Sequence, residues 1–420
     1  MTISTVFQPL WDAAGFTAET PIQAAVAAPL RQDEHVIGLA PTGSGKTLAF
    51  ALPLLPKLMA GGGVQLLILA PSQELAMQTR NVIRPYAAAI HLAVVGLVGS
   101  ANVKRQLDQL KAKPEVIVGT PGRLLELVRA GRLSLHALQT LVVDEADELL
   151  RDPGLDQVRE LAMAAPGETQ YAFFSATDSP LFAQLDKWFG ITPVRIDVRA
   201  IDHTQGAVRH LFVQTDNAHR EAWLRALAHL DHFRALVFFN NNALLEQTAR
   251  TLRHQAVTFA VLSRMDRQVN RANALAALRK GKVKLLLVTD LAGRGLDIAK
   301  LPAVVNYTAP TRAEAYIHRA GRTGRMGEPG TVITLGDDHD RRNLKKLVPQ
   351  YDIRRGYLVD GQLTTVAPSR DAAPAPVTPP PSTKPKAAAK RPAPEAATTT
   401  TRKPHKKRRA RDQKNKGKHN

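Results

Sequence analysis

Val36-Ile37-Gly38-Leu39-Ala40-Pro41-Thr42-Gly43-Ser44-Gly45-Lys46-Thr47 is the stretch from which the rest of the chain can be read. A short apolar run stops at Pro41. Two glycines, a lysine and a threonine follow, and Leu48–Met59 then has the apolar spacing of a helix. Strand, glycine-bearing loop, Lys-Thr and helix, in that order, are what a phosphate-binding loop requires. The glycines let the backbone wrap closely, so that its N–H groups face phosphate oxygens. The helix N-terminus adds donors and a favourable dipole. Lys46 is placed to reach the β/γ-phosphates of a nucleotide, and the Thr47 hydroxyl to hold Mg²⁺. The strict pattern has glycine where this chain has Ala40, so the loop is a variant.

Working outward, Val/Ile/Leu-rich runs alternate with longer amphipathic stretches. The first half has Val36–Ala40, Gln65–Ala70, Val94–Val98, Val116–Gly119, Leu141–Val143 and Tyr171–Phe174. The second has His210–Val213, Ala235–Phe239, Val257–Leu262, Lys284–Val288, Ala303–Asn306 and Thr331–Leu335. Continuous apolar strands separated by helices predict an α/β fold with parallel sheets covered on both faces. Two such series predict two tandem domains, over 1–200 and 209–366. The change-over falls in a polar stretch between Arg195 and Arg209.

The chain has 420 residues, no cysteine and a net charge of +20. Without cysteine there are no disulfides, thiolate metal sites or cysteine nucleophiles. The N-terminus has no basic, apolar leader pattern and no run is long enough to span a membrane, so a cytoplasmic setting without membrane contact is expected. Residues 370–420 hold fifteen Lys/Arg against three acids, a net +12, which leaves +8 for residues 1–369. Residues 367–420 are rich in proline, lysine and arginine, with almost no large apolar side chain, so a disordered basic tail is expected there. Such a tail attracts nucleic-acid phosphates by counterion release.

Leu141-Val142-Val143-Asp144-Glu145-Ala146-Asp147 puts carboxylates directly after an apolar strand. Beside a phosphate loop, Asp144 can hold Mg²⁺ through water and Glu145 can polarise an attacking water.

With Asp144-Glu145-Ala146-Asp147 in place, the chain resembles the DEAD-box RNA helicases of helicase superfamily two. The resemblance covers roughly residues 14–336 and rests on many ordered motifs. It implies two RecA-like domains, ATP and Mg²⁺ as cofactors and RNA as partner. Gly15-Phe16 and Thr20-Pro21-Ile22-Gln23 are similar to the adenine-reading motif, with Gln23 on the base and Phe16 beside it. Phe7 lies too close to Gly15 to align with the further aromatic that the family usually has upstream. Ala40, Pro41, Thr42, Gly43, Ser44, Gly45, Lys46 and Thr47 would cradle the phosphates. Pro71-Ser72-Gln73, Gly99 and Thr120-Pro121-Gly122-Arg123 correspond to RNA-contacting motifs. The family usually has Thr and Arg at Ser72 and Gln73, and a second glycine at Ser100. Asp147, Ser175-Ala176-Thr177, His318 and Arg319 would couple hydrolysis to strand separation. Arg271 would ligate an RNA phosphate and Thr289 would touch RNA. Gly295 and Asp297 would approach ATP. Arg322 and Arg325, in His318-Arg319-Ala320-Gly321-Arg322-Thr323-Gly324-Arg325, would neutralise charge on the γ-phosphate.

The implied activity is an RNA-dependent ATPase, a monomer, that locally unwinds short duplexes with little sequence preference in the core. Ribosomal precursors and RNA-decay machinery are candidate partners. An ATP-dependent clamp or annealing chaperone would use the same motifs. A non-enzymatic RNA binder sits poorly with intact Lys46, Glu145 and Arg325, and a DNA helicase with the adenine motif and full acidic run. Deleting 370–420 should weaken RNA affinity and flatten its salt dependence, while ATP hydrolysis persists at saturating RNA. Filter binding across a salt series checks this. Loss of hydrolysis at saturating RNA would make the tail part of the catalytic unit.

Overall fold

Two seven-stranded, all-parallel sheets follow one another along the chain, in a computed structural model describing residues 3–99, 101–255, 257–262, 268–293, 298 and 301–367. The first holds β1 (Val36–Leu39), β2 (Leu66–Leu69), β3 (Val94–Leu97), β4 (Val116–Gly119), β5 (Thr140–Asp144), β6 (Gln170–Ser175) and β7 (Val194–Asp197). The second holds β8 (Val208–Gln214), β9 (Ala235–Phe239), β10 (Phe259–Leu262), β11 (Leu285–Thr289), β12 (Ala303–Asn306), β13 (Gly330–Gly336) and β14 (Ile353–Arg355). A separate hairpin pairs β15 (Tyr357–Val359) with β16 (Gln362–Thr364). The strand orders are β3-β4-β2-β5-β6-β1-β7 and β10-β11-β9-β12-β13-β8-β14. Counted from the start of each sheet, these are the same order, so one topology occurs twice.

The first lobe carries helices α1 (Gln8–Ala13), α2 (Pro21–Arg31), α3 (Lys46–Leu54), α4 (Gln73–Ala88), α5 (Val103–Leu110), α6 (Pro121–Arg129), α7 (Ala146–Leu149), α8 (Gly154–Met163) and α9 (Leu185–Phe189). The second carries α10 (Arg220–Ala228), α11 (Asn242–Arg253), α12 (Gln268–Arg279), α13 (Asp290–Gly293), α14 (Ala313–Ala320) and α15 (Asp338–Leu347). Successive strand residues feed opposite cores. Val36, Leu66 and Ile68 pack on one face of the first sheet, and Ile37, Leu67 and Leu69 on the other. This is why the strands read as unbroken apolar runs rather than alternating ones.

All twelve expected strands are present, and three differences bear on function. The polar change-over begins inside β7, which pairs with β1 and extends the first sheet by one edge strand. Asp144 is the last residue of β5, in register with Phe174, rather than following the strand. The phosphate-loop helix starts at Lys46 and gives way to a 3-10 turn at Leu55–Lys57, where Pro56 cannot donate to a helical ladder. Gly295, Asp297 and the tail from 368 onward lie outside the described residues. Among the described residues, no helix is long and apolar enough to cross a membrane.

One buried side chain holds the base of the first sheet. Gln170 Nε2 donates to the carbonyls of Leu30 (3.1 Å) and Glu34 (2.8 Å), while its Oε1 accepts from Thr140 Oγ1 (3.0 Å) and Lys57 Nζ (3.3 Å). Gln170→Leu would strand the Glu34 carbonyl and the Thr140 hydroxyl, leaving the Leu30 carbonyl to Lys57 Nζ alone (3.1 Å). A loss of about 1–3 kcal/mol of stability is expected, seen as a lower calorimetric midpoint. An unchanged midpoint would show that water replaces the amide.

Candidate active site and nucleic-acid interface

The loop after β1 is shaped by two left-handed glycines, Gly43 (φ 85°) and Gly45 (φ 83°), a conformation that costs other residues dearly. Lys46 opens α3 and folds back, donating from Nζ to the carbonyls of Ala40 (2.8 Å) and Pro41 (2.8 Å). Burial lowers its pKa against the opposing pull of Asp144, Glu145, Asp147 and Asp202. Thr47 lies in the same first turn. Ser44 is fully buried and its Oγ has no hydrogen-bond partner in the protein. Gln23 caps α2 by accepting from the Thr20 N–H (2.9 Å), and its Nε2 donates to the Gly45 carbonyl (3.3 Å). Phe16 packs on Trp11 with ring centroids 4.8 Å apart, whereas Phe7 is wholly buried against Tyr86.

Across the loop, Asp144 closes β5 and Glu145 turns the chain left-handed (φ 49°) into α7. Burial, aided by neighbouring Glu145, pushes the Asp144 carboxyl up to about 7 against the pull of Lys46. Asp144 and Glu145 act electrostatically on Lys46, which Thr47 follows at the head of α3, and two carboxylates with a hydroxyl are oxygen donors of the kind a hard divalent cation takes. One Glu145 oxygen, Oε1, lies 3.5 Å from Arg322 Nη2; the other, Oε2, is buried with no hydrogen-bond partner in the protein.

The second lobe closes this site. A Cβ on Gly321 would lie 1.8 Å from Thr42 Oγ1, so only glycine permits that approach. Arg325 donates from Nε to the Gly321 carbonyl (2.8 Å), and its stem lies against Gly43. Asp147, 1 % exposed, accepts from Thr177 Oγ1, and its Oδ2 lies 3.1 Å from His318 Nε2. Burial alone would push Asp147 up, but the His318 charge and these hydrogen bonds hold it at about 2. Burial would push His318 down, but Asp147 and then Glu145 raise it despite Arg322. Ser175 accepts from the Thr177 N–H (3.0 Å), and its carbonyl accepts from the Ala40 N–H (3.1 Å). Ser175-Ala176-Thr177 therefore links the phosphate loop to Asp147 rather than capping a helix.

Three expected site residues have their guanidinium groups engaged by the protein itself. Arg319 does not bridge the lobes. Its guanidinium is 2 % exposed and bonds Asp290, Asn306, Thr308 and Asn240, all in the second lobe, where it ties the ends of β9, β11 and β12 together. Arg123 points inward, donating to the Gly99 carbonyl (2.8 Å) and pairing with Glu126 (3.3 Å). It braces the Gly99 loop, and the exposed end of α6 presents Gly122 instead. Arg271, 7 % exposed, places Nε 2.7 Å from Glu74 of the first lobe rather than in solvent. Pro71 and Gln73 flank the Ser72 cap of α4, and Gln73 Nε2 reaches Gly99. Thr120 stands at the N-cap position of α6 without a side-chain capping bond, and Thr289 ends β11.

Sequence reading missed several partners across the lobes. Glu74 meets Arg271, and Arg151 meets Glu314 at 3.2 Å. Gln205, between the sheets, donates to Thr42 at both its carbonyl (3.3 Å) and Oγ1 (3.2 Å). Asp202 is 7 % exposed and acts electrostatically on Lys46. No local pattern marks these residues as partners; Glu74 alone lies within a motif, Pro71-Ser72-Gln73-Glu74-Leu75-Ala76.

Residues 20–182 match the DEAD/DEAH box helicase family and 218–327 the helicase conserved C-terminal domain. YfmL of Bacillus subtilis, described as a probable ATP-dependent RNA helicase, is 35% identical over 358 residues, covering 84% of this chain and 95% of its own. CshC of Bacillus cereus, a DEAD-box ATP-dependent RNA helicase, is 33% identical over 347 residues, covering 82% and 89%. Among solved structures, S. cerevisiae Dbp5 bound to RNA and ADP BeF3 superposes with a TM-score of 0.76 at 27% identity, covering 84% of this chain and 93% of that one.

The His318–Asp147 contact makes closure depend on pH. His318 is raised above its ordinary 6.5 and Asp147 is held at about 2. The ion pair is therefore fully formed well below pH 6.5 and fades as pH climbs through the raised His318 value. The chain has no cysteine, so Met163→Cys and Arg253→Cys, both at exposed positions, accept a label pair cleanly. Energy transfer between them should fall with rising pH above that point, and His318→Gln should flatten the response. An unchanged profile in the variant would remove His318 as its source.

Proposed function

The chain belongs to the DEAD-box family of ATP-dependent RNA helicases, and on that premise we propose that it couples ATP hydrolysis to local opening of short RNA duplexes or remodelling of RNA–protein complexes. The observation that carries this is the division of the site. Lys46, Thr47, Asp144 and Glu145 belong to the first lobe, and Arg322 and Arg325 to the second, within contact of each other. In this reading residues 1–200 and 209–366 are the two working domains and 367–420 a basic tether.

ATP with Mg²⁺, when bound, supplies the phosphoanhydride bond to be cut. Lys46 leaves the carbonyls of Ala40 and Pro41 and turns to the phosphates. Thr47 and Asp144 would hold the cation, Asp144 through water. Glu145 Oε2 orients the attacking water and takes its proton, while Arg322 and Arg325 offset charge growing on the γ-phosphate. These groups act together only when the lobes close. RNA lying across the loops at 71–73, 99 and 120–122 and at Thr289 favours closure, so hydrolysis waits for RNA. Backbone and 2′-OH contacts suffice for this, hence little base preference. Ribosome assembly and RNA decay are the two settings to examine first, by crosslinking the protein to cellular RNA.

Glu145→Gln should lower RNA-stimulated ATPase by about 10²–10³-fold while ATP-dependent RNA binding persists. Arg325→Ala should lower it by about 10³-fold or more. Unchanged turnover in Glu145→Gln would refute the assignment. Strand displacement with ATP, and none with a non-hydrolysable analogue beyond one opening per protein, supports the helicase over a clamp.

A further inference from the structure

The outer edge of the first lobe carries a cluster of cations that the active site does not use. Strand β3 is the edge of its sheet, flanked by α4 and α5. Arg80 and Arg84 stand four residues apart on one face of α4. A Cβ on Gly96 of β3 would lie 2.8 Å from Met77 Sδ and 3.1 Å from Arg80 Cδ, so the Arg80 stem runs closely over the strand. Asn102 caps α5 by accepting from the Arg105 N–H (3.2 Å), which fixes Arg105 in the first turn of the helix that packs on the opposite face of β3, so that the three cations surround the sheet edge. Arg84 and Arg105 are exposed and Arg80 half-buried.

No carboxylate of the described residues pairs with any of the three. Arg80 Nη1 donates only to the Asn81 side chain (3.2 Å). The nearby acids are engaged elsewhere, Asp108 with Lys111 (2.7 Å) and Glu74 with Arg271. Burial, and then repulsion from Arg84 and Arg105, lowers the pKa of Arg80. Three guanidinium groups held together without an anion are a cost that a polyanion removes. The position suits one. Gln73 heads α4 beside Gly99, where the family usually has an arginine, and Arg80 lies about 10 Å further along the same helix. The missing cation of the motif is thus followed, two turns on, by three.

We propose that Arg80, Arg84 and Arg105 form an accessory phosphate site that holds the backbone of single-stranded RNA running past the loops at 71–73, 99 and 120–122. The site rests on the RNA-binding function proposed above. Its contribution depends on RNA length, because a short strand filling the core loops never reaches it. It contributes to affinity and leaves catalysis alone.

The test uses the full-length protein with a non-hydrolysable ATP analogue. Fluorescence anisotropy would compare single-stranded RNAs of about 6 and about 20 nucleotides binding to the wild type and to the Arg84→Glu/Arg105→Glu variant. The basic tail is the same in both, so the difference isolates the cluster. The expected result is about tenfold weaker binding of the long RNA, unchanged binding of the short one, and a salt slope lower by about 1.4 for two lost contacts. ATPase at saturating long RNA should be unchanged. Arg84→Gln/Arg105→Gln should show a smaller loss in the same direction, and an unchanged melting midpoint excludes misfolding as its cause. Equal loss on both lengths, or no loss on either, overturns the proposal. The latter leaves the cluster as a guard of the sheet edge or a face for an acidic protein. A wild type that binds neither RNA overturns the helicase reading along with it.

Discussion

A carboxylate that cannot reach water, Asp147, is what the two lobes have in common. Stripped of solvent, an ionised carboxyl persists only if other groups pay back its lost hydration, and here they come from both halves of the chain. Thr177 donates from the first lobe and the His318 imidazole lies 3.1 Å away in the second. Removing one partner of a buried pair typically costs about 3–5 kcal/mol, because the other charge is left uncompensated. Asp147 therefore ties closure to the strand end of β6. Through Ser175 and the Ala40 N–H, that strand end is tied to the phosphate loop.

The remaining charge arrangement follows the same division. The first lobe gathers acids, Asp144, Glu145 and Asp147, around one buried lysine, and the second brings His318, Arg322 and Arg325. Parallel sheets make this possible, since the carboxyl ends of the strands and the starts of the helices share one edge. One strand order used twice places such an edge on each lobe, and the residues on those edges carry complementary charge. Arg319 does the less visible part. By binding Asp290, Asn306 and Asn240 it clamps three strand ends and so fixes the helix that carries His318 and leads into Arg322.

Much of this was legible from residue order. Apolar runs bounded by glycine, proline and polar clusters identified twelve of the sheet strands, because a strand buried on both faces has no polar alternation to hide it. Strands β7 and β14 escaped notice for the opposite reason: they lie at sheet edges, and Val194–Asp197 is largely exposed. The phosphate loop, the acidic strand end and the arginine run were readable because each packs its chemistry into a few adjacent residues. The surroundings of Arg123, Arg271 and Arg319 were not legible, for one reason. A motif says which residue is present, and only packing says whether its guanidinium faces solvent or a carbonyl in the interior.

Residue order by itself determined the α/β class, the two-lobe plan, the phosphate loop and the family to which the chain belongs, since each rests on local spacing along the backbone. Only tertiary structure decided which charges meet. Glu74 with Arg271, Arg151 with Glu314, Gln205 with Thr42 and Asp147 with His318 join residues far apart in the chain. Their pairing follows from how the loops and helices of two lobes meet, and that depends on burial and charge summed over both surfaces rather than on any local pattern.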